Sequence, residues 1–69
     1  MIVSIAKVTE ISSSSDKSFE DAIQQGITRA GKTIHGMKSA WVNEQKVIIS
    51  DGHVIEWRVN LKVTFVLDG

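Results

Sequence analysis

The architecture of the chain follows from residues 37–67, whose sequence is MKSAWVNEQKVIISDGHVIEWRVNLKVTFVL. Apolar and polar residues alternate along most of this stretch, and a period of two is typical of β-strands with one buried face. Asp51-Gly52 interrupts the alternation, and this dipeptide is a strong signal for the tight turn of a β-hairpin. The sequence therefore predicts two antiparallel strands of about 13 residues each, longer than the usual five or six.

Apolar and polar residues divide cleanly between the two faces of the last strand and less cleanly in the preceding strand. In the last strand, the apolar face is Ile55, Trp57, Val59, Leu61, Val63, Phe65 and Leu67, and the polar face is Glu56, Arg58, Asn60, Lys62 and Thr64. In the preceding strand, Ala40 and Val42 are assigned to the apolar side, and Ser39, Trp41, Asn43 and Gln45 to the opposite side. The alternation fails at residues 47–49, where three apolar residues are consecutive and a β-bulge is expected.

One amphipathic helix precedes the hairpin. Its apolar residues recur at intervals of three and four, namely Phe19, Ala22, Ile23, Ile27, Ala30 and Ile34. Ser18 with Asp21 fits a capping-box start, Asp16 is an alternative N-cap, and Gly36 is placed for a left-handed C-cap. Gly26 and Gly31 weaken the helix by roughly 1 kcal/mol each relative to Ala, and we interpret them as sites of close packing.

Residues 2–11 are rich in β-branched residues and predict a first strand. The serine run at residues 12–15 is expected to form a turn that ends this strand. The predicted order is β-α-β-β. The fold class is therefore α+β, with a three-stranded antiparallel sheet and one helix in a single domain spanning residues 1–69.

Composition excludes several classes of protein. Eight basic residues balance eight acidic ones, which is not the basic footprint of a nucleic-acid-binding protein. No apolar run approaches the roughly 18 residues of a membrane span, and residues 1–11 do not resemble a secretory signal, so we expect a cytoplasmic protein. The chain has no Cys and hence neither a disulfide nor a thiolate metal site.

The predicted sheet has more surface than the helix can bury. One helix of about 16 residues covers one face at most, so the second face must meet water, a ligand or copies of the chain. A closed homo-oligomer would remove the exposed edges as well.

Several local strings, in this order and spacing, resemble the dodecin family. They are Lys7-Val8, Ser18-Phe19-Glu20-Asp21-Ala22, Ala30-Gly31-Lys32-Thr33-Ile34, Asp51-Gly52 and Leu61-Lys62-Val63-Thr64-Phe65-Val66-Leu67. The resemblance covers almost the entire chain. It implies a hollow homododecamer in which each subunit wraps its sheet around its helix. It also implies flavins stacked between aromatic side chains of neighbouring subunits, for storage or sequestration and not for turnover.

The resemblance also implies the site residues. Members that bind flavin carry a stacking Trp six residues after the Thr that closes the helix, a position that Ser39 occupies here. Trp41 lies two residues later, on the same face but displaced by roughly 6–7 Å along the strand. The expected flavin site (for FMN, FAD or riboflavin) has Trp41 as the stacking ring and Arg58 at the ring edge. Gln45, Ser39 and Asn43 complete it.

Two alternatives stay open at this stage. The displaced position of Trp41 favours packing between subunits, and Arg58 is also suited to an ion pair with Glu44 or Glu56. Some members of the family without the stacking Trp are linked to ion binding, calcium among them, so a non-flavin shell or scaffold is the second hypothesis. No metal-ligand set is assigned, since His35 and His53 lack neighbouring ligands. No catalytic motif is present, so we do not expect an enzyme.

Overall fold

The strands and the helix follow the predicted order. The structure, a computed structural model, describes residues 5–67 and contains β1 (Ala6–Ser15), α1 (Phe19–Ala30), β2 (Met37–Ser50) and β3 (His53–Val66). The strands form one antiparallel sheet in the order β1-β3-β2, with β3 in the centre. The predicted α+β fold with β-α-β-β order is confirmed.

Strand β1 extends further at its C-terminal end than the sequence predicted. The serine run pairs with β3 from Ser12 opposite Asn60 to Ser15 opposite Trp57, so the predicted turn at residues 12–15 is wrong. Ser13 lies beneath Gly26, where an added Cβ would come within 2.9 Å of the Cβ of Ser13. Small residues in this part of β1 therefore let the helix approach the sheet closely. Residues 2–4 of the predicted strand lie outside the described residues.

Helix α1 begins at the predicted cap. The Ser18 hydroxyl accepts a hydrogen bond of 3.0 Å from the backbone N–H of Asp21, which satisfies one of the free donors of the first turn. The Asp21 carboxylate accepts from the Ser15 hydroxyl at 2.5 Å, which ties the end of β1 to the helix. The hydrogen bond from Ser15 and that from Gln25 both lower the pKa of Asp21, and the first is the larger cause.

The helix ends earlier than predicted. Its last residue is Ala30 and its C-cap is Gly31, so the predictions that it reaches Ile34 and is capped by Gly36 are wrong. Gly36 has a positive φ of 78°, in the connection to β2. Its carbonyl accepts from the backbone N–H of Val66 at 3.1 Å, and an added Cβ would meet the Val66 carbonyl oxygen at that same distance, so the position favours glycine.

The core lies between α1 and the middle of β3. Its buried residues are Ala22, Val59, Leu61 and Val63, and Ile11, Phe19, Ile23, Ile27 and Met37 pack around them. Only the middle of the predicted apolar face is therefore buried. Trp57, predicted as a core residue, is half-buried and lies outside this cluster.

The pairing of β2 with β3 contains three register irregularities. One, at Ile48 and Ile49, agrees with the predicted bulge in its place along the hairpin, but its extra residue is Ile55 of β3, because Ile48 pairs with Glu56 and Ile49 with Val54. A second lies between Met37 and Ser39. The third, between Val42 and Glu44, reverses the alternation after it, because Glu44 then pairs with Asn60 and Gln45 with the buried Val59. Directly paired residues share a face, so the prediction that Gln45 lies on the same face as Trp41 is wrong.

Large apolar surfaces stay uncovered in the single chain. Helix α1 packs chiefly on β1 and β3, so Val42 of β2 is 48% exposed although it pairs with the buried Leu61. Strand β1 stops opposite Trp57, and beyond it residues 48–56 form a two-stranded hairpin arm. In this arm Ile49 is 63% and Ile55 is 51% exposed. The prediction that one helix cannot cover the hairpin is confirmed.

Candidate functional site

The face of the sheet that points away from α1 carries most of the candidate residues, and we call it the outer face. The strand register assigns its members. They are Ala6, Val8, Glu10, Ser12 and Ser14 on β1, Ser39, Trp41, Glu44, Lys46 and Ile48 on β2, and Glu56, Arg58, Asn60, Lys62, Thr64 and Val66 on β3. The outer face therefore has one end with an aromatic ring and another end that is almost wholly polar.

The aromatic end consists of Val8, Ser39, Trp41 and Thr64. Trp41 pairs with Lys62 and is 61% exposed, so the indole ring is open to a planar partner. Ser39 and Val8 flank Thr64 on its two sides, and the Thr64 hydroxyl is buried without a hydrogen-bond partner among residues 5–67. Ser39, two residues before Trp41 on the same strand and face, has a small side chain.

The polar end is held together by a hydrogen-bonded chain across all three strands. The Asn43 side-chain amide donates to the Asn60 side-chain oxygen at 3.0 Å, and the Asn60 amide donates to the Ser12 hydroxyl at 3.2 Å. Asn43 is the extra residue at the irregularity between Val42 and Glu44, and the bulge brings its side chain to Asn60.

Arg58 is paired within its own strand. Its Nε donates to Glu56 Oε1 at 2.9 Å and a terminal nitrogen donates to Oε2 at 3.4 Å. Hydrogen bonds from Arg58 and, secondarily, from Ser14 lower the pKa of Glu56, and the carboxylate in turn raises the pKa of Arg58. Of the two ion pairs that the sequence allowed, the structure forms the one with Glu56 and not the one with Glu44.

A concavity of about 450 Å³ lies at the polar end. Its outer-face lining is Ser12, Ser14, Glu44, Lys46, Glu56, Arg58 and Asn60. Along β3, Asn60 is two residues and Arg58 four residues from Lys62, the partner of Trp41, which corresponds to about 7 Å and about 13 Å. The concavity thus begins at the next outer-face position of β3 after Lys62, the residue that pairs with Trp41.

The structure brings only some of the predicted site residues together. Trp41 and Ser39 lie at the aromatic end, and Asn43 and Arg58 at the polar end. Gln45 pairs with Val59 on the face of the sheet that points toward the helix, and it lines the concavity from that face. Its contact with a ligand stays a prediction. Further outer-face residues line the concavity and are absent from the predicted site, namely Ser12, Ser14, Glu44, Lys46, Glu56 and Asn60. For the two serines, the alternation within the serine run was a signal that they share a face.

No metal centre is formed among residues 5–67, where no group of three or more His, Cys, Asp or Glu side chains is close enough to hold an ion. His35 and His53 are both exposed. Within the same described part of the chain, the structure has no helix with the length and apolar character needed to cross a membrane.

Comparison with solved structures defines the class of fold. A dodecin from Streptomyces davaonensis is 35% identical, with 96% of this chain and 97% of that chain covered and a TM-score of 0.89. A dodecin from Streptomyces coelicolor is 30% identical, with 100% and 99% covered and a TM-score of 0.91. A calcium dodecin from Mycobacterium tuberculosis, described as having a novel calcium-binding site, is 28% identical, with 93% and 91% covered and a TM-score of 0.79.

The fold is thus the dodecin fold. The sequence profile of the dodecin family matches residues 5–68, and the chain belongs to this family. A search among curated proteins finds no match.

Proposed function

We propose that the chain is a non-enzymatic flavin-binding protein that stores or sequesters flavin in a homo-oligomeric shell. The observation that carries this proposal is the exposed indole ring of Trp41 on the outer face of the sheet. Leaving so large an apolar ring in water forgoes about 25 cal/mol for every Å² that a partner would bury. A flat aromatic ligand such as an isoalloxazine would cover it by stacking, an arrangement that aromatic rings favour.

A shell of several subunits is supported by the uncovered surfaces of the single chain. The hairpin arm exposes Ile49 and Ile55, and β2 exposes Val42 on its helix-facing side. Contact with other copies would bury these side chains and protect the free edge strands. Membership of the dodecin family makes a homododecamer the assembly that we propose.

Within the proposed site, Trp41 is the stacking residue and Ser39 leaves space beside the ring. Arg58 and Asn43 belong to the polar end and offer hydrogen bonds to polar parts of the ligand. Because Arg58 lies about 13 Å along β3 from the partner of Trp41, the two residues of one subunit would touch well-separated parts of a ligand. A contact between Arg58 and the ring edge would therefore come from a neighbouring subunit.

The alternative is a shell that holds ions such as calcium, or that serves as a scaffold, without flavin. The likeness to the calcium dodecin supports it, since that protein is 28% identical over most of both chains. Under this alternative Trp41 would be buried against a neighbouring subunit whether or not a ligand is present.

Titration of flavin with wild-type protein and with the Trp41→Ala variant separates the two functions. Stacking should quench flavin fluorescence in the wild type, and losing the ring should weaken binding about tenfold or more, because stacking and burial together contribute more than 1.4 kcal/mol. Trp41→Phe should retain part of the affinity, and Trp57→Phe serves as the matched control on the helix-facing register. Equal affinities of wild type and Trp41→Ala would contradict the proposal, and loss of assembly in Trp41→Ala would favour the alternative.

A further inference from the structure

The tip of the hairpin arm is a two-residue turn in which both residues have a left-handed backbone. Ser50 pairs with His53, so Asp51 and Gly52 alone make the turn. Their φ angles are 51° and 75°, which is the pattern of a type I′ turn. Asp51 is the one residue other than glycine with a positive φ among residues 5–67. This conformation is unfavourable for an L-residue, because its Cβ lies close to the following carbonyl oxygen.

The two groups of this turn that can react with each other are both free. Within the part of the chain that the structure describes, the Asp51 carboxylate makes no hydrogen bond or salt bridge, and the Gly52 N–H makes no hydrogen bond. Both residues are exposed, and a Cβ built on Gly52 would meet no atom within 4 Å. Nothing on the neighbouring strands therefore shields the Gly52 nitrogen from the side chain that precedes it.

Asp21 offers a comparison within the same chain, because neither of the corresponding groups is free there. Its carboxylate accepts hydrogen bonds from Ser15 and Gln25, at 2.5 and 2.9 Å. The N–H of the next residue, Ala22, donates to the Ser18 carbonyl oxygen at 3.1 Å in the first turn of α1. A reaction between this carboxyl group and the nitrogen that follows it would have to break hydrogen bonds that the turn of the arm does not have.

A carboxyl group beside a free peptide nitrogen can close a cyclic imide, a succinimide. The Gly52 nitrogen bonds to Cγ of Asp51, the Cγ–OH bond breaks, and the hydroxyl leaves with the N–H proton as water. The Cα proton of the imide is acidic and returns on either face, which interconverts the L and D forms. Water then adds to one of the two ring carbonyls and opens the ring, to aspartate or to isoaspartate. The sequence is balanced with water as its sole co-reactant.

The geometry of the turn discriminates between these products. In isoaspartate the main chain passes through Cβ and Cγ, which lengthens a connection that joins the pair of Ser50 and His53 by only two residues. A D-residue prefers positive φ, which is why designed type I′ turns contain D-amino acids. D-Aspartate at position 51 therefore fits the turn without the strain of the L form, and that strain is equivalent to a factor of about five to thirty in population.

We propose that Asp51 is a site of spontaneous isomerisation through a succinimide with Gly52, and that the folded hairpin retains D-aspartate as the main product. The modification needs neither an enzyme nor a cofactor, and it is independent of the ligand that the shell holds. It preserves the type I′ turn, so the modified protein should assemble as the unmodified protein does.

Long incubation of the wild-type protein at neutral pH, followed by digestion with trypsin, tests the proposal. Cleavage after Lys46 and Arg58 releases residues 47–58, which contain Asp51 but not the second Asp-Gly of the sequence, at residues 68–69. Chromatography against synthetic standards separates the L and D forms of aspartate and isoaspartate. The same peptide, incubated free in solution, is the matched control without the fold, and Asp21 is the control within the chain.

Asp51 should be converted several times faster than Asp21. The ratio of D-aspartate to isoaspartate should be at least about fivefold higher in the protein than in the free peptide. The Asp51→Asn variant reaches the same imide by losing ammonia, so it should give the same ratio in less time. Conversion of Asp51 no faster than that of Asp21 would overturn the site, and equal product ratios in the protein and the free peptide would overturn the selection by the turn.

Discussion

At the scale of single residues, the pair of Arg58 and Glu56 shows how the outer face organises its charges. The two side chains lie two residues apart on one strand, and their double hydrogen bond fixes the guanidinium plane. Their side chains are 47% and 28% exposed, so water screens the pair and its contribution to stability is small. Its main effect is to hold Arg58 at the polar end of the outer face.

The pair predicts a dependence of stability on acidity. Because the pKa of Glu56 is lowered in the folded chain, the pair stabilises the fold above the usual pKa of Glu, and that stabilisation is lost as the pH falls through the lowered value. Glu56→Gln should therefore flatten the profile of Tm against pH between neutral pH and about pH 3, and the loss of Tm should be largest at neutral pH. Glu44→Gln is the control, and parallel profiles for wild type and Glu56→Gln would contradict the assignment.

For some residues of β2, the face of the sheet on which they lie follows from the sequence, and for others it does not. The face of Trp41 follows from alternation, because the register of β2 is regular from Ser39 to Val42. The face of Gln45 does not, because the bulge at Asn43 depends on pairing with Asn60 seventeen residues away. A period of two holds only until such an irregularity, and the local sequence around Asn43 contains no glycine or proline to signal it.

At the scale of secondary-structure elements, the contact between α1 and β1 depends on small residues. Gly26 and Ser13 pack so closely that an added Cβ on Gly26 would lie 2.9 Å from the Cβ of Ser13. The sequence predicted a packing role for Gly26 but not its partner. The serine run predicts a turn, since serine is common in turns, and pairing with β3 overrides that preference.

This contact gives a direct test of the packing. Gly26→Ala should destabilise the chain by about 1 kcal/mol, because the overpacking cost of about 1–3 kcal/mol outweighs a gain in helix propensity of roughly 1 kcal/mol. Chemical denaturation measures the change. Thr28→Ala, at an exposed position of the same helix, should not be destabilising to that extent. A Gly26→Ala variant more stable than wild type would show that the helix is not held this close to β1.

At the scale of the whole molecule, the single chain is elongated, with extents of 57 × 20 × 14 Å. The hairpin arm extends beyond the reach of both α1 and β1 and exposes isoleucine and valine side chains. A two-stranded hairpin is marginally stable by itself in water, so contacts from other copies in the proposed shell would stabilise the arm.

A charge placed in the arm should therefore disrupt assembly and not folding. Ile55 has no direct partner in the register of β2 and β3, so Ile55→Lys should lower the oligomer mass while the far-UV circular dichroism spectrum is retained. Thr28→Lys, which adds the same charge on the exposed side of α1, is the control. An Ile55→Lys variant that assembles like wild type would exclude the arm from the subunit contacts.

The most direct test of the central claim is size-exclusion chromatography of the wild-type protein mixed with riboflavin, with light scattering for mass and absorbance for flavin. The account predicts one particle with the mass of a homododecamer that carries flavin absorbance and quenched flavin fluorescence. A particle of that mass without flavin would contradict flavin storage and favour an ion-binding shell or scaffold, and a monomer would contradict the shell itself.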